Sequence, residues 1–457
     1  MKKKHIYKTI DVEKLEMLSV VSLLTIGCII AIDVAKSKFV AALATAGGDV
    51  IRLIRFEHPR QTAAFLRLLI SLRDAKLEPR VVMEPTGTYG DAIRYQCHRL
   101  EIPVHMMSPK HTHDFGEVLD SVPSMHDPKA AMTLARLQTI RPAKRWEPET
   151  EAKRDLRALL DQRVPVVRTA SLYYGVLEAM LARHWPELGT FVDVHTQRSW
   201  MTLLQETPSP KAVAAASEQA TKTLRTASRG GLSHETIAAI VESGRTSFGV
   251  PMTQGEETKL RAIVEHIERE THELDVLDKQ LAGLVRDNPE MALMADAVGP
   301  ACAAAIVGYV GSPTAFSSAR ALQKAMGLNL KERSSGEKRG KLSITKRGPG
   351  QVRQLLYLAA LRLIKSDPVV LAWYRARGAY LREAKMAAVV AVMRKLARAL
   401  WHVARGNAFD AYKLFDARRL GLPEKAPAKD GAPCDPHVCP TSRQAPLNAG
   451  GDSQPIA

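Results

Sequence analysis

The chain has 457 residues, 46% of them hydrophobic, with a formal net charge of +17 and five cysteines. That length holds two or three domains with sizeable cores. The positive charge is spread through globular sequence, which puts nucleic acid ahead of a membrane surface as the polyanionic partner. An odd cysteine count in so long a chain reads as reduced thiols in a cytoplasmic protein, which argues against a disulfide framework.

Lys2-Lys3-Lys4 and the apolar run over residues 17–32 have the outline of a secretory signal. No small-residue cleavage site precedes Asp33, and the run is too short and interrupted to span a membrane. Residues 1–25 therefore read as an extension. From Gly27 the chain is almost continuously apolar, as in a strand covered on both faces, and it then places one carboxylate, Asp33. A turn-like Lys36-Ser37-Lys38 and a second apolar run over 39–43 make two strands hinged beside that acid. A buried charge is costly unless compensated, so the carboxylate suggests a cation; an aspartate capping a turn is the alternative.

Residues 50–56 read as a third strand, and 62–72 as a helix from the spacing of Phe65, Leu66, Leu68, Leu69 and Leu72. Val81-Val82-Met83 is a short strand ending in Glu84, after which Pro85 and Gly87 break it. A helix over 91–100 and a strand over 102–107 follow. This alternation predicts an α/β domain with a central mixed sheet. Further acids stand at Asp114, Glu117, Asp120 and Asp127. Asp127 precedes Pro128 and a helical run over 129–137, so a helix cap is its competing role. Carboxylates at the ends of different strands can share Mg²⁺, and a pair of such ions about 4 Å apart stabilises both oxygens exchanged in phosphoryl transfer.

Taken in order, Ile32-Asp33-Val34-Ala35-Lys36, Met83-Glu84-Pro85-Thr86-Gly87-Thr88-Tyr89 and His126-Asp127-Pro128-Lys129-Ala130-Ala131 resemble the transposases of the IS110 family. The resemblance implies a RuvC-like, RNase H-type domain with a DEDD acidic tetrad. Asp33, Glu84 and Asp127 match its first three acids and would bind Mg²⁺. The fourth acid normally stands three residues after the third, where this chain has Ala130. Asp120 is the candidate substitute.

Beyond Trp146 the pattern turns helical. Residues 151–181 interleave apolar positions with Arg154, Arg157, Arg163 and Arg168, a basic face suited either to solvent or to a nucleic-acid backbone. Pro165 is expected to kink or break this helix. Residues 183–253 form an insertion of short helices, and no chemistry is inferred there. Residues 258–285 repeat apolar residues at three- and four-residue steps. They predict a partner for the first long helix in an antiparallel coiled coil, or for another subunit; the resemblance favours a homodimer or higher oligomer.

Residues 294–306, hinged at Gly299, resemble the helix-hairpin-helix of the same transposases. Residues 331–347 hold seven Lys or Arg against two Glu in a Gly- and Ser-rich setting. Lys331, Arg333, Lys338, Arg339, Lys341, Lys346 and Arg347 suit phosphate gripping. In the family the corresponding loop carries a serine nucleophile. Ser335, before Gly336, is the best match and Ser334 the next. Helices over 352–364 and 386–404 offer Arg353, Arg362, Arg394, Lys395 and Arg398 as backbone contacts, whereas Tyr357, Trp373, Tyr374 and Trp401 read as packing residues. The tail beyond 422 reads as disordered; its Cys434, His437 and Cys439 could bind metal, but three nearby ligands in such a tail make this the weaker reading.

The expected organisation is an extension (1–25), a RuvC-like DEDD domain (26–146), a helical coiled-coil region (147–290) with its insertion (183–253), a mainly helical C-terminal transposase domain (291–420) and a tail (421–457). The expected function is a DNA transposase, with DNA, a structured bridge RNA and Mg²⁺ implied by the resemblance. A catalytically inactive nucleic-acid-binding derivative, suggested by Ala130, and an actin-like-fold ATPase are the alternatives.

Overall fold

The computed structural model describes residues 7–85, 87–122, 124–332, 340, 342–378, 382–416 and 420, with the backbone alone at 119, 120, 382 and 383. The chain divides into two units, Met1–Thr150 and Glu151–Ala457.

The first unit is built on a seven-stranded mixed sheet flanked by helices. Its strands are β1 (Thr9–Asp11), β2 (Ile29–Asp33), β3 (Lys38–Ala44), β4 (Val50–Glu57), β5 (Arg80–Met83), β6 (Val104–Met106) and β7 (Lys144–Arg145), in the order β1-β4-β3-β2-β5-β6-β7. β2, β3 and β4 form an antiparallel meander, and β5 and β6 extend it in parallel from β2. The helices are α1 (Met17–Val21), α2 (Thr62–Asp74), α3 (Asp91–Arg99), α4 (Pro109–Asp120) and α5 (Asp127–Ile140). Residues 9–11, assigned to an extension by sequence, instead pair in parallel with β4, and Val12, Val20 and Leu24 enter the core.

Strand alternation explains why both faces of β2 are apolar. Ile30 and Ile32 join Phe39, Leu43, Ile54 and Phe56 beneath Phe65, Leu68, Leu69 and Leu72 of α2. On the other face Ile29 and Ala31 join Val40, Ala42 and Ala44 beneath Ala131, Leu134 and Ala135 of α5. Alanine set against alanine brings α5 close to β2 and β3, which places the start of that helix relative to the end of β2.

Among the described residues, the second unit is helical apart from one two-stranded sheet. Two long helices, α6 (Glu151–His184) and α12 (Gln254–Arg286), form an antiparallel pair. Arg163 meets Asp278 at 2.7 and 3.3 Å, Tyr173 stacks on His266 at 4.3 Å, and Arg183 lies 3.9 Å from Glu256. α6 runs as one element through Pro165, whose position is exposed, so the ring meets solvent while apolar residues on either side hold the helix by packing. A reciprocal cap starts α12, with Thr253 and Glu256 each bonding the other's backbone N–H.

Between the long helices lie α7 (Leu188–Phe191), α8 (Ser199–Glu206), α9 (Pro210–Ala215), α10 (Ser217–Ser228) and α11 (His234–Thr246). Trp185, Trp200, Leu204, Leu224 and Ile240 pack there against Leu177 and Leu181 of α6 and Ile263 and Ile267 of α12. At the other end of the pair, Leu156, Leu160, Leu281 and Val285 join a second core. It is made by α13 (Pro289–Val298), α14 (Pro300–Ala305), α15 (Ala319–Ala325), α16 (Gly350–Ser366), α17 (Pro368–Ala376), α18 (Arg382–Val403) and α19 (Ala411–Phe415). A π-helical turn, Ile306–Val310, touches α6 through Gly308, where a Cβ would stand 2.7 Å from Leu160. The small sheet pairs β8 (Leu330–Lys331) with β9 (Ser343–Ile344).

Candidate functional site

Three of the sequence-selected acids come together in the first unit. Asp33 closes β2, and Glu84 follows β5 directly; Ile32 and Met83 are register partners, so the two acids leave adjacent parallel strands at the same end. Such strand ends are where open α/β sheets bind ligands. Asp127 is the first residue of α5, the helix packed across β2 and β3. Asp33 is half-buried, and its carboxyl is pushed up to about 6, first by burial and then by the charges of Asp127 and Glu84. The backbone N–H of Val34 opposes the rise.

The helix-cap role considered for Asp127 falls to its neighbour. Nδ1 of His126 accepts the backbone N–H of Lys129 at 3.3 Å, and the imidazole meets the edge of Tyr7 at a centroid distance of 4.4 Å. Asp127 stays exposed in the first turn. Ala130, half-buried one turn further on, brings no carboxylate. Asp120 is the last residue of α4, and its side chain lies outside the described residues.

The donor set fits a hard divalent cation: the gathered groups are carboxylates with no cysteine among them, and after burial it is the charges of Asp127 and Glu84 on Asp33 that a cation would relieve. Among the described residues, no group of three or more His, Cys, Asp or Glu lies close enough to form a ready coordination sphere.

Ser335, Ser334, Arg333, Lys338, Arg339 and Lys341 lie outside the described residues, as do Cys434, His437 and Cys439. Lys331 on β8 and Lys346 and Arg347 after β9 are described and exposed. The flanks of this segment are tightly tied. Thr345 N–H donates to Asn329 O at 2.7 Å and Lys346 N–H to Gly327 O at 3.0 Å. A Cβ on Gly348 would stand 2.4 Å from Ala325 O, so only glycine permits this backbone crossing.

Of the basic residues expected to touch a nucleic-acid backbone, those on the C-terminal helices also bond the protein itself. Arg353 donates to Gly348 O and Met326 O, Arg362 to Ala297 O, Arg394 to Leu328 O, Lys395 to Leu414 O and Arg398 to Gln323 Oε1. On α6, Arg163 is held by Asp278 and Arg157 lies over the Tyr309 ring. Formal charge alone does not reveal that a carbonyl lies within reach. Tyr357, Trp373, Tyr374 and Trp401 belong to the packed core.

Sequence reasoning also missed Lys129, which is 3% exposed and donates from Nζ to Val122 O at 2.7 Å and Ser124 O at 3.0 Å. The local sequence carries no signal of it, because both acceptors are main-chain carbonyls.

The mixed sheet and its acids fit the RuvC-like class of DEDD nucleic-acid enzymes, and a family model of that type, described as a transposase, matches residues 30–186. A second, described as the transposase IS116/IS110/IS902 family, matches residues 293–375. The chain belongs to the IS110 family of transposases. No curated protein matches the chain. No helix among the described residues is long and apolar enough to cross a membrane.

Proposed function

We propose that the protein cuts and rejoins the DNA of an insertion sequence, with Asp33, Glu84 and Asp127 holding Mg²⁺ and Ser335 as the nucleophile. The observation that carries this reading is the convergence of three motif carboxylates: Asp33 and Glu84 leave paired strands at the same end, and Asp127, at the start of α5, and Glu84 add their charges to the burial that raises Asp33 to about 6. Mg²⁺ bound there supplies charge that polarises a phosphodiester. The Ser335 oxygen attacks phosphorus, its proton passes to a base or water, and the DNA oxygen departs as the leaving group. The serine–phosphate ester retains the bond energy needed for rejoining, which hydrolysis would dissipate. Lys331, Lys346 and Arg347, with Arg333, Lys338, Arg339 and Lys341, neutralise the DNA backbone.

In this reading residues 26–146 form the RuvC-like DEDD domain, and α6 with α12 forms a coiled-coil arm within 147–290 that joins subunits. Residues 291–420 form the transposase domain, whose helix-hairpin-helix around Gly299 contacts DNA. An element-encoded bridge RNA selects the sites, and the protein acts on the nucleoid in the bacterial cytoplasm. Asp120 is the replacement for the acid absent at Ala130.

Ala130 favours a second reading, a binding protein that no longer cuts. A covalent-trapping assay separates the two. The protein, Ala130→Asp and Ala130→Asp/Ser335→Ala are incubated with element-end DNA, its non-coding RNA and Mg²⁺, then denatured. A protein–DNA adduct with Ala130→Asp that the double variant lacks supports the serine mechanism, and an adduct with the parent chain makes Ala130 compensated. Binding by all three without any adduct refutes Ser335 and leaves the binding reading.

A further inference from the structure

We propose that Lys129 is a positioning residue that sets Asp127, and through it divalent-cation binding at the carboxylate cluster; the second half of this rests on the metal reading above. Among the described residues, Lys129 is one of the few charged side chains that are almost wholly buried, at 3% exposure. Removing a lysine from water is expensive, and apolar packing alone would not require it: methionine fills a comparable volume at no such cost. What the lysine adds here is directional. Nζ bonds two carbonyls on the connection between α4 and α5, Val122 O and Ser124 O. The backbone N–H of the same residue bonds the His126 ring, and its carbonyl accepts the hydroxyl of buried Thr133 at 2.7 Å.

One residue therefore ties the incoming chain to the first turn of α5 from both its main chain and its side chain. Asp127 lies between those ties. The loop before it is bonded to the helix after it, and the helix is seated by Ala131 and Ala135 on β2, the strand that ends in Asp33. The Nζ end of these ties belongs to a side chain that is itself almost wholly buried, so leaving either bond unmade would strand a charged donor with little water to replace the acceptor. Outer supports of this kind commonly govern how well a ligating side chain binds metal.

The test uses the full chain and Mn²⁺ as the probe, with binding read by electron paramagnetic resonance and amide exchange read by mass spectrometry. In Lys129→Met the Mn²⁺ dissociation constant rises roughly tenfold, and the amides of Ala130 and Ala131 exchange faster while those of β2 do not. Lys129→Gln, which keeps a donor, serves if the methionine variant fails to fold. Gln138→Met is the control, because it cuts a tie at the far end of the same helix, from Ala143 N–H to Gln138 Oε1 at 2.8 Å. It leaves Mn²⁺ affinity unchanged.

Parent-like Mn²⁺ affinity in Lys129→Met, or in Lys129→Gln where the methionine variant does not fold, overturns the inference, and so does equal weakening by Gln138→Met, which would mean general loosening of α5. If the parent chain itself binds no Mn²⁺, the metal reading fails. Exchange at Ala130 and Ala131 then decides the positioning claim alone, and parent-like exchange overturns it.

Discussion

Replacing Asp33 with asparagine removes a carboxyl whose ionisation burial and two neighbouring acids oppose. Its rise from an ordinary 3.8 to about 6 corresponds to about 3 kcal/mol by linkage. The side chain is only partly buried, and allowance for solvent screening leaves about 1–2 kcal/mol. The sign follows from a folded-state value above the unfolded one. The stabilising contribution of the protonated carboxyl is complete below 3.8 and is lost as pH rises through about 6. The asparagine side chain never ionises, so Asp33→Asn makes the first unit more stable than the parent at about pH 8 in chelator, by roughly 5- to 30-fold in its opening equilibrium. Near pH 4 the two converge. Native-state exchange at the amides of Ile30 and Ile32, both fully buried in β2, reports this opening. Millimolar Mg²⁺ narrows the gap by stabilising the parent alone. Equal stability at about pH 8, or a gain that persists unchanged near pH 4, refutes the electrostatic account of the cluster.

Gly348→Ala drives a methyl group against Ala325 O; a loss of about 1–3 kcal/mol in urea unfolding of the second unit is expected, and a loss within error sinks the crossing argument. Arg163→Met breaks a half-buried bidentate pair with Asp278, and about 1–3 kcal/mol is lost in the same assay. Thr253→Ala removes one side of the reciprocal cap of α12 at a cost of about 1 kcal/mol; no change would mean that packing alone starts this helix. Burial pushes the thiols of Cys28 up to about 11 and of Cys97 and Cys302 up to about 12. All three therefore resist alkylation in the native protein at about pH 8 and label on unfolding, as peptide mass spectrometry will report.

The sheet was legible because its strands carry two-sided apolar runs, and the acids because Asp33 and Glu84 interrupt such runs at their ends. The long helices announced themselves through period, and Pro165 misled because a single residue's penalty cannot be weighed against packing along 34 residues. Residues 9–11 were missed since a three-residue edge strand shows no alternation. The largest gap concerns cations. Arg353, Arg394 and Arg398 were read as outward contacts from charge alone, yet each finds an oxygen brought near by chain segments that the local sequence does not foreshadow. Lys129 escaped for the same reason, its acceptors being main-chain carbonyls.

The antiparallel course of α6 and α12 has an evolutionary corollary. The chain departs along one helix and returns along the other, so α7 to α11 sit at the tip of a stalk whose two feet are rooted in the C-terminal core through Leu156, Leu160, Leu281 and Val285. At 1.5 Å per residue a helix of 33 residues spans roughly 50 Å. Variation at the tip is thereby separated from the feet by the length of the stalk, and the stalk offers successive places where a tight turn could replace everything beyond it. Enlarging, exchanging or shedding this distal module would leave the packing at the feet, through Leu156, Leu160, Leu281 and Val285, intact.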